Sequence, residues 1–254
     1  MTRKIVVHAH RGASAYAPEN TLPAFRLAME MGADGFENDI HLTRDKVFVL
    51  SHDGTIDRMS DGSGAIHEMT VKELKRYDFG AKFDAKFSGT RISTLDEMLE
   101  LTHGMDILNI ELKGPLPAGQ DLDEALSILY ASLEKYHCAD RTIISTFEHA
   151  WGGRIKERYP RLRVGLLYGE RFTPEETLAL AEKYHADAVH PDLSVLTPAI
   201  VDACREKGVQ INAWTVNSPE AIRRAIELQV DGIITDVPDK VLAALGRGPA
   251  ARQG

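Results

Sequence analysis

Cysteine is scarce in this chain, two in 254 residues, which excludes a small fold framed by disulfides. Cys138 and Cys204 sit in no metal or redox spacing, and each falls within or beside a helical pattern, as expected of reduced thiols packed under helices. Apolar runs are short. The start, "MTRKIVVHAHRG", has only a four-residue run before histidine and arginine, too little for a signal-peptide core or a membrane span. Positive charge is also in deficit: 30 Lys and Arg stand against 38 Asp and Glu, a formal net charge of -8. Binding to nucleic acid or an anionic bilayer rests on neutralising phosphates with Lys and Arg, so neither is the expected partner. A local basic pocket for a single phosphate stays compatible with this balance. These absences together point to a cytosolic protein with no stable membrane anchoring.

What is present is an ordinary globular composition, 43% apolar and 27% charged, able to bury a core without staples. Short β-branched runs recur near 4–9, 35–40, 106–112, 141–146, 162–168, 187–190, 209–215 and 232–235, with helical patterns between them. Examples are 20–31, entered through Asn20 or Thr21 and left at Gly32, and 218–227, entered through Ser218 and Pro219. Strand then helix, eight times in about 250 residues, is the pattern of an α/β TIM (β/α)8 barrel, with a doubly wound open sheet as the other architecture. A ninth run, "KVFVLSH" at 46–52, follows its predecessor after only three residues. A parallel crossover needs about a dozen residues, so this run is expected to turn back as an antiparallel hairpin and leave the barrel count at eight. Residues 54–90 are Gly-rich and charged, with one short helical pattern near 70–77, and read as an insertion on the rim. The expected organisation is one barrel over 1–245, carrying that insertion as a small cap subdomain after the second barrel strand, and a flexible tail at 246–254.

The parity of the strands sorts their side chains. Leu108, Ile110 and Leu112 oppose Asn109, Glu111 and Lys113; Val209, Ile211 and Ala213 oppose Gln210, Asn212 and Trp214; Ile5, Val7 and Ala9 oppose His8 and His10. In a barrel the apolar parity packs under the helices, so the polar parity points inward, and its last members stand at the catalytic, C-terminal end. "GFENDIH" at 35–41 aims Glu37, Asp39 and His41 the same way, whereas Asn38 stands on the parity that should be apolar.

Glu37, Asp39 and Glu111 thus crowd three carboxylates at one mouth. Such crowding raises pKa values or recruits a cation, and hard oxygen donors suit one Mg2+ or Ca2+. The other reading pairs Glu111 with Lys113 and Asp39 with Arg11 as structural ion pairs. "HRG" at 10–12 brings His10 and Arg11 to the mouth, Arg11 offering a planar fork for phosphate or a partner for a carboxylate. "SHDG" at 51–54 brings His52 to the same rim. A positioned acid or base supplies about 10² to 10⁴ in rate, short of what inert bonds require, so a cation and Arg11 neutralising a phosphoryl group complete a coherent scheme for phosphate-ester cleavage.

At these residues the chain resembles the glycerophosphodiester phosphodiesterases. "AHRGASAYAPENTLPAF", "GADGFENDIHLTRD", "SHDGTIDR", "ISTLDEML", "NIELKG", "AWTVN" and "DGIITDVPD" occur in that family's order, from residue 8 to about 239. The resemblance implies a TIM barrel that hydrolyses small-molecule glycerophosphodiesters, such as glycerophosphocholine or glycerophosphoethanolamine, to sn-glycerol 3-phosphate and an alcohol. It implies one divalent cation, Mg2+ or Ca2+, on Glu37, Asp39 and Glu111, with His10 and His52 as the acid-base pair. It also implies Arg11 and Lys113 on phosphate, Trp214 along the glycerol side, and Asp236 as a rim or structural residue. His8 and His41 would stand behind these groups. The departures are Asn38 for an apolar residue, "RMSDG" for the more familiar "RTTNG", and Ser93 for a common proline. Two further readings are a lysophospholipase D-like enzyme, favoured by an apolar surface near Phe79, Phe83 and Phe87, and a barrel that binds a phosphate ester without cleaving it.

Overall fold

The computed structural model describes residues 4–248. Nine strands form in chain order: β1 (Val6–His10), β2 (Gly35–Leu42), β3 (Phe48–Leu50), β4 (Ile107–Leu112), β5 (Thr142–Thr146), β6 (Arg163–Tyr168), β7 (Ala188–Pro191), β8 (Gln210–Ala213) and β9 (Gly232–Thr235). Eight of them, all but β3, pair in parallel around a ring that β1 closes by bonding both β9 and β2. This is the closed TIM barrel, not the open sheet. β3 is antiparallel, and sets Leu50 opposite Ile40 and Phe48 opposite Leu42, so it extends the end of β2 outside the ring.

The helices are α1 (Leu22–Met31), α2 (Val71–Leu74), α3 (Leu95–Leu101), α4 (Leu122–Lys135), α5 (His149–Arg158), α6 (Pro174–Lys183), α7 (Pro198–Lys207), α8 (Pro219–Leu228) and α9 (Pro238–Ala244). Several start the same way. Thr173, Thr197 and Ser218 each cap with a side-chain oxygen, and a proline within the first two positions supplies the preset φ where no backbone donor is needed. α1 ends at Gly32, whose φ of +89° places it in the left-handed region that closes a helix.

Two apolar clusters fill the layer between ring and helices, one around Phe36, Ile40, Leu108, Ile110 and Leu166, the other around Val7, Val189, Ile211, Ala213 and Ile233. All ten lie on the outward parity, as the alternation requires. Inside, the barrel is polar: Ser145 donates to Asn109 at 2.8 Å, and the Asn212 amide lies 2.9 Å from His190 Nε2. Gly165 and Gly232 make room there, since a Cβ at the first would run into the His190 ring and one at the second into Asn212 and His8. Asn38 is fully buried on the outward parity with neither polar atom hydrogen-bonded, and nothing in the fold explains it.

After β3 the chain leaves the barrel wall. Ile56, Ile66, Leu74, Phe79 and Ile92 gather with Val49 into a third, separate core. Phe79 belongs to that core, whereas Phe83 is 41% exposed and meets Phe87 edge-on. Both thiols are buried and free, Cys204 on α7 and Cys138 just beyond α4. Of the expected tail, residues 249–254 lie outside the described residues. No helix among the described residues is long and apolar enough to cross a membrane.

Candidate active site

The C-terminal ends of β1, β2 and β4 bring the expected residues together. Register sets His10 beside Glu37 and Asp39 beside Glu111, so neighbouring strands deliver the carboxylates to one level. One oxygen from each of Glu37, Asp39 and Glu111 falls within 4.8 Å of the others, and all three side chains are buried.

Cations counter part of this charge. Lys113 lies 2.7 Å from Glu111 and 3.1 Å from Asp39, and Arg11 Nε lies 3.3 Å from Asp39. These are the ion pairs that a purely structural cluster would use. They leave Glu37 over. Among the described residues its ion contact is His10 Nε2 at 3.7 Å, and its buried Oε2 accepts no hydrogen bond. Burial penalises the charge on Asp39, yet Lys113, Arg11 and the Asn20 amide outweigh it and hold Asp39 below the usual carboxylate range. Burial, reinforced by Asp39 and Glu111, drives Glu37 well upward, and burial with the Asp39 charge pushes Glu111 to about 7. A third carboxylate with an orphaned oxygen, among hard donors, fits a divalent cation better than a completed salt-bridge network.

Both histidines are held from behind by an aspartate. His10 Nδ1 lies 2.5 Å from Asp236, which also accepts from Ser14 at 2.9 Å and from Asn217 at 2.5 Å. Burial opposes the charge on Asp236, but the bond to His10 and its other donors keep that carboxyl low. His52 Nδ1 lies 2.7 Å from Asp53, which Arg58, more than burial, draws down to about 2. In both rings the Nδ1 side is occupied by a carboxylate.

The sequence reading placed Asp236 as a rim or structural residue, took Asn20 only as a possible helix entry, and did not single out Asp53 or Phe147. Asn20, at φ +57°, donates to Asp39 at 2.9 Å and accepts from the Asp39 backbone N–H. Phe147, just past β5, is 48% exposed and meets Trp214 edge-on at 5.7 Å, with the Lys113 ammonium 5.8 Å from its ring centre. Trp214 donates its indole N–H to the His190 carbonyl at 2.7 Å, which fixes its ring at the mouth. His41 Nε2 lies 3.3 Å from the His52 carbonyl, so it stands behind the site as expected. His8 sits deeper, with both ring nitrogens unpartnered.

Three buried carboxylates, two aspartate-held histidines and an Arg-Lys pair at the mouth of a TIM barrel are groups that metal-assisted phosphate-ester hydrolysis can use. Residues 10–240 match the glycerophosphoryl diester phosphodiesterase family, and the chain belongs to it. A glycerophosphodiester phosphodiesterase of Caldanaerobacter subterraneus subsp. tengcongensis is 39% identical over 246 residues, covering 96% of this chain and 99% of that one. Among solved structures, an Oleispira antarctica phosphodiesterase in complex with the product sn-glycerol-3-phosphate superposes with a TM-score of 0.86 at 26% identity, covering 95% of this chain and 96% of that one. A glycerophosphodiester phosphodiesterase from Agrobacterium tumefaciens gives 0.82 at 27% identity, covering 95% and 100%. The chain is therefore a divalent-metal-dependent enzyme that hydrolyses glycerophosphodiesters, with small molecules as substrates.

Proposed function

We propose that Glu37, Asp39 and Glu111 hold one Mg2+ or Ca2+, that His10 and His52 are the acid-base pair, and that Arg11 and Lys113 bind the phosphate. When bound, the cation neutralises charge on the phosphoryl oxygens and favours the ionised form of all three carboxylates. Lys113, which lies beside Glu111 and Asp39, would put its ammonium on a phosphate oxygen. Arg11 offers its remaining fork. His10 and His52, each with Nδ1 fixed by a carboxylate, present Nε2, so one takes a proton from the attacking water while the other protonates the departing alcohol; where a neighbouring substrate hydroxyl attacks first, a second step in which water opens the cyclic phosphate gives the same product. Trp214 and Phe147 wall the glycerol side, and residues 54–90 act as a cap subdomain on the single barrel.

Products are sn-glycerol 3-phosphate and an alcohol, the first being the ligand carried by the Oleispira antarctica relative. Glycerophosphocholine and glycerophosphoethanolamine are the proposed substrates, and the cytosol the proposed compartment, in keeping with two free buried thiols. Of the three phenylalanines that would mark a lipid-binding surface, Phe79 is 4% exposed and packs in the insertion's core, while Phe83 is exposed and Phe87 half-buried, so the apolar surface is smaller than a lysophospholipid site would want.

The orphaned oxygen of Glu37 carries this reading. Release of glycerol 3-phosphate from glycerophosphocholine should vanish with EDTA and return with Mg2+ or Ca2+, and the cation giving more turnover at equal occupancy identifies the better cofactor. His10→Ala should cut kcat by about 10²- to 10⁴-fold while leaving substrate affinity nearly intact. An unchanged rate would remove His10 from the mechanism.

A further inference from the structure

From the insertion, Arg58 reaches the mouth. Arg58 bonds two carboxylates at once: Nε and Nη2 meet Asp53 at 2.6 and 3.3 Å, while Nη1 and Nη2 meet Glu19 at 3.0 and 2.7 Å. Each of those acids in turn holds a residue of the site. Asp53 is the partner of His52 Nδ1 at 2.7 Å, and Glu19 accepts from Arg11 Nη1 at 3.1 Å. An unbroken line thus runs Arg11, Glu19, Arg58, Asp53, His52 across the mouth, from the loop after β1 to the loop after β3.

Stability alone accounts poorly for this arrangement. The Arg58 side chain is 46% exposed, where ion pairs are worth little, and Glu19, 16% exposed, keeps Arg11 as a partner when Arg58 is replaced. A planar guanidinium can bridge two carboxylates in fixed directions, which a lysine ammonium does not reproduce.

The geometry points to Arg58 as a positioning residue that sets His52 through Asp53 and Arg11 through Glu19, making the insertion part of the catalytic arrangement without touching substrate. This rests on the roles proposed above for His52 and Arg11. Its signature is a split: the Asp53 arm governs kcat through His52, and the Glu19 arm governs KM through Arg11.

The test is a set of variants assayed on glycerophosphocholine with saturating Mg2+. Arg58→Gln should lower kcat about tenfold and raise KM severalfold, the scale on which partners standing behind reactive groups act. Mg2+ affinity by calorimetry and Tm should stay close to wild type. Asp53→Asn should reproduce the kcat loss alone and Glu19→Gln the KM rise alone, and Arg58→Lys should fall between wild type and Arg58→Gln. In a His52→Ala background, Arg58→Gln should cost no further kcat. Wild-type kinetics for Arg58→Gln, or losses that multiply fully in the His52→Ala and Glu19→Gln backgrounds, would overturn the inference. If His52→Ala itself keeps full activity, the role of His52 fails first, and the two failures are told apart.

Discussion

Glu37 shows at the scale of one residue why the site wants a cation. Its carboxyl is buried beside two others and is pushed well up, and Glu111 is pushed to about 7, so both hold protons more readily than an ordinary carboxylate. Binding a divalent cation requires them ionised, so metal and protons compete. The sign follows: apparent metal affinity should rise as pH climbs from 6 to 8 through the value of Glu111, and binding near pH 7 should release protons. Calorimetry in two buffers of different ionisation enthalpy measures that release, and a proton count of zero would refute it. Asp236 makes the companion case. Asp236→Asn would break the charged bond that fixes the His10 tautomer, and on the proposed mechanism kcat should fall about 100-fold or more with metal affinity unchanged. Sequence parity alone brought Glu37, Asp39 and Glu111 into one mouth, because a strand's two-residue period is local. Asp53 and Asn20 were not legible in that way, since their roles depend on where loops fold back, and no period governs a loop.

Elements carry the next layer. The strands, and the helices α1 and α8, were legible to within about two residues, and the three-residue link before β3 correctly marked an antiparallel hairpin. The start of α1 is instructive. The pattern offered Asn20 or Thr21 as the entry, and the helix takes Thr21: Asn20 stands in the left-handed region at φ +57° and its amide bonds Asp39 instead. The same loop depends on Gly12, at φ +83°, where an added Cβ would come within 2.7 Å of Ala24 on α1. Gly12→Ala should therefore cost about 1–3 kcal/mol from strain, and more if α1 must shift. Because Arg11 precedes it, KM should rise along with the loss of Tm; a destabilised variant with unchanged KM would show that the loop tolerates the shift.

The whole molecule surrounds a polar interior, which sets its response to acid. His8 and His190 are completely buried inside the ring, and burial, the largest influence on each, lowers His8 to about 4 and His190 to about 3 from an ordinary 6.5. Unfolding exposes both to water, where they take up protons below about pH 6.5, whereas the folded protein keeps them neutral until far lower pH. Stability from these rings is therefore fully present above 6.5 and is lost as pH falls toward 4. At roughly 1.4 kcal/mol per pH unit for each ring, His8 alone places about 3 kcal/mol at risk, a large share of a typical folding free energy. The raised carboxyls of Glu37 and Glu111 act in the opposite sense in metal-free protein, since there the folded state holds protons that the unfolded state releases above their ordinary range. A difference measurement separates the two. Urea unfolding at pH 7 and at pH 5, for wild type and for His8→Asn combined with His190→Asn, leaves the carboxyl contribution common to both proteins. The wild type should lose more stability between those pH values than the double variant, by about 1–4 kcal/mol, whatever the variant's absolute stability. Equal losses would mean that the interior histidines are already protonated in the fold, or that water reaches them there.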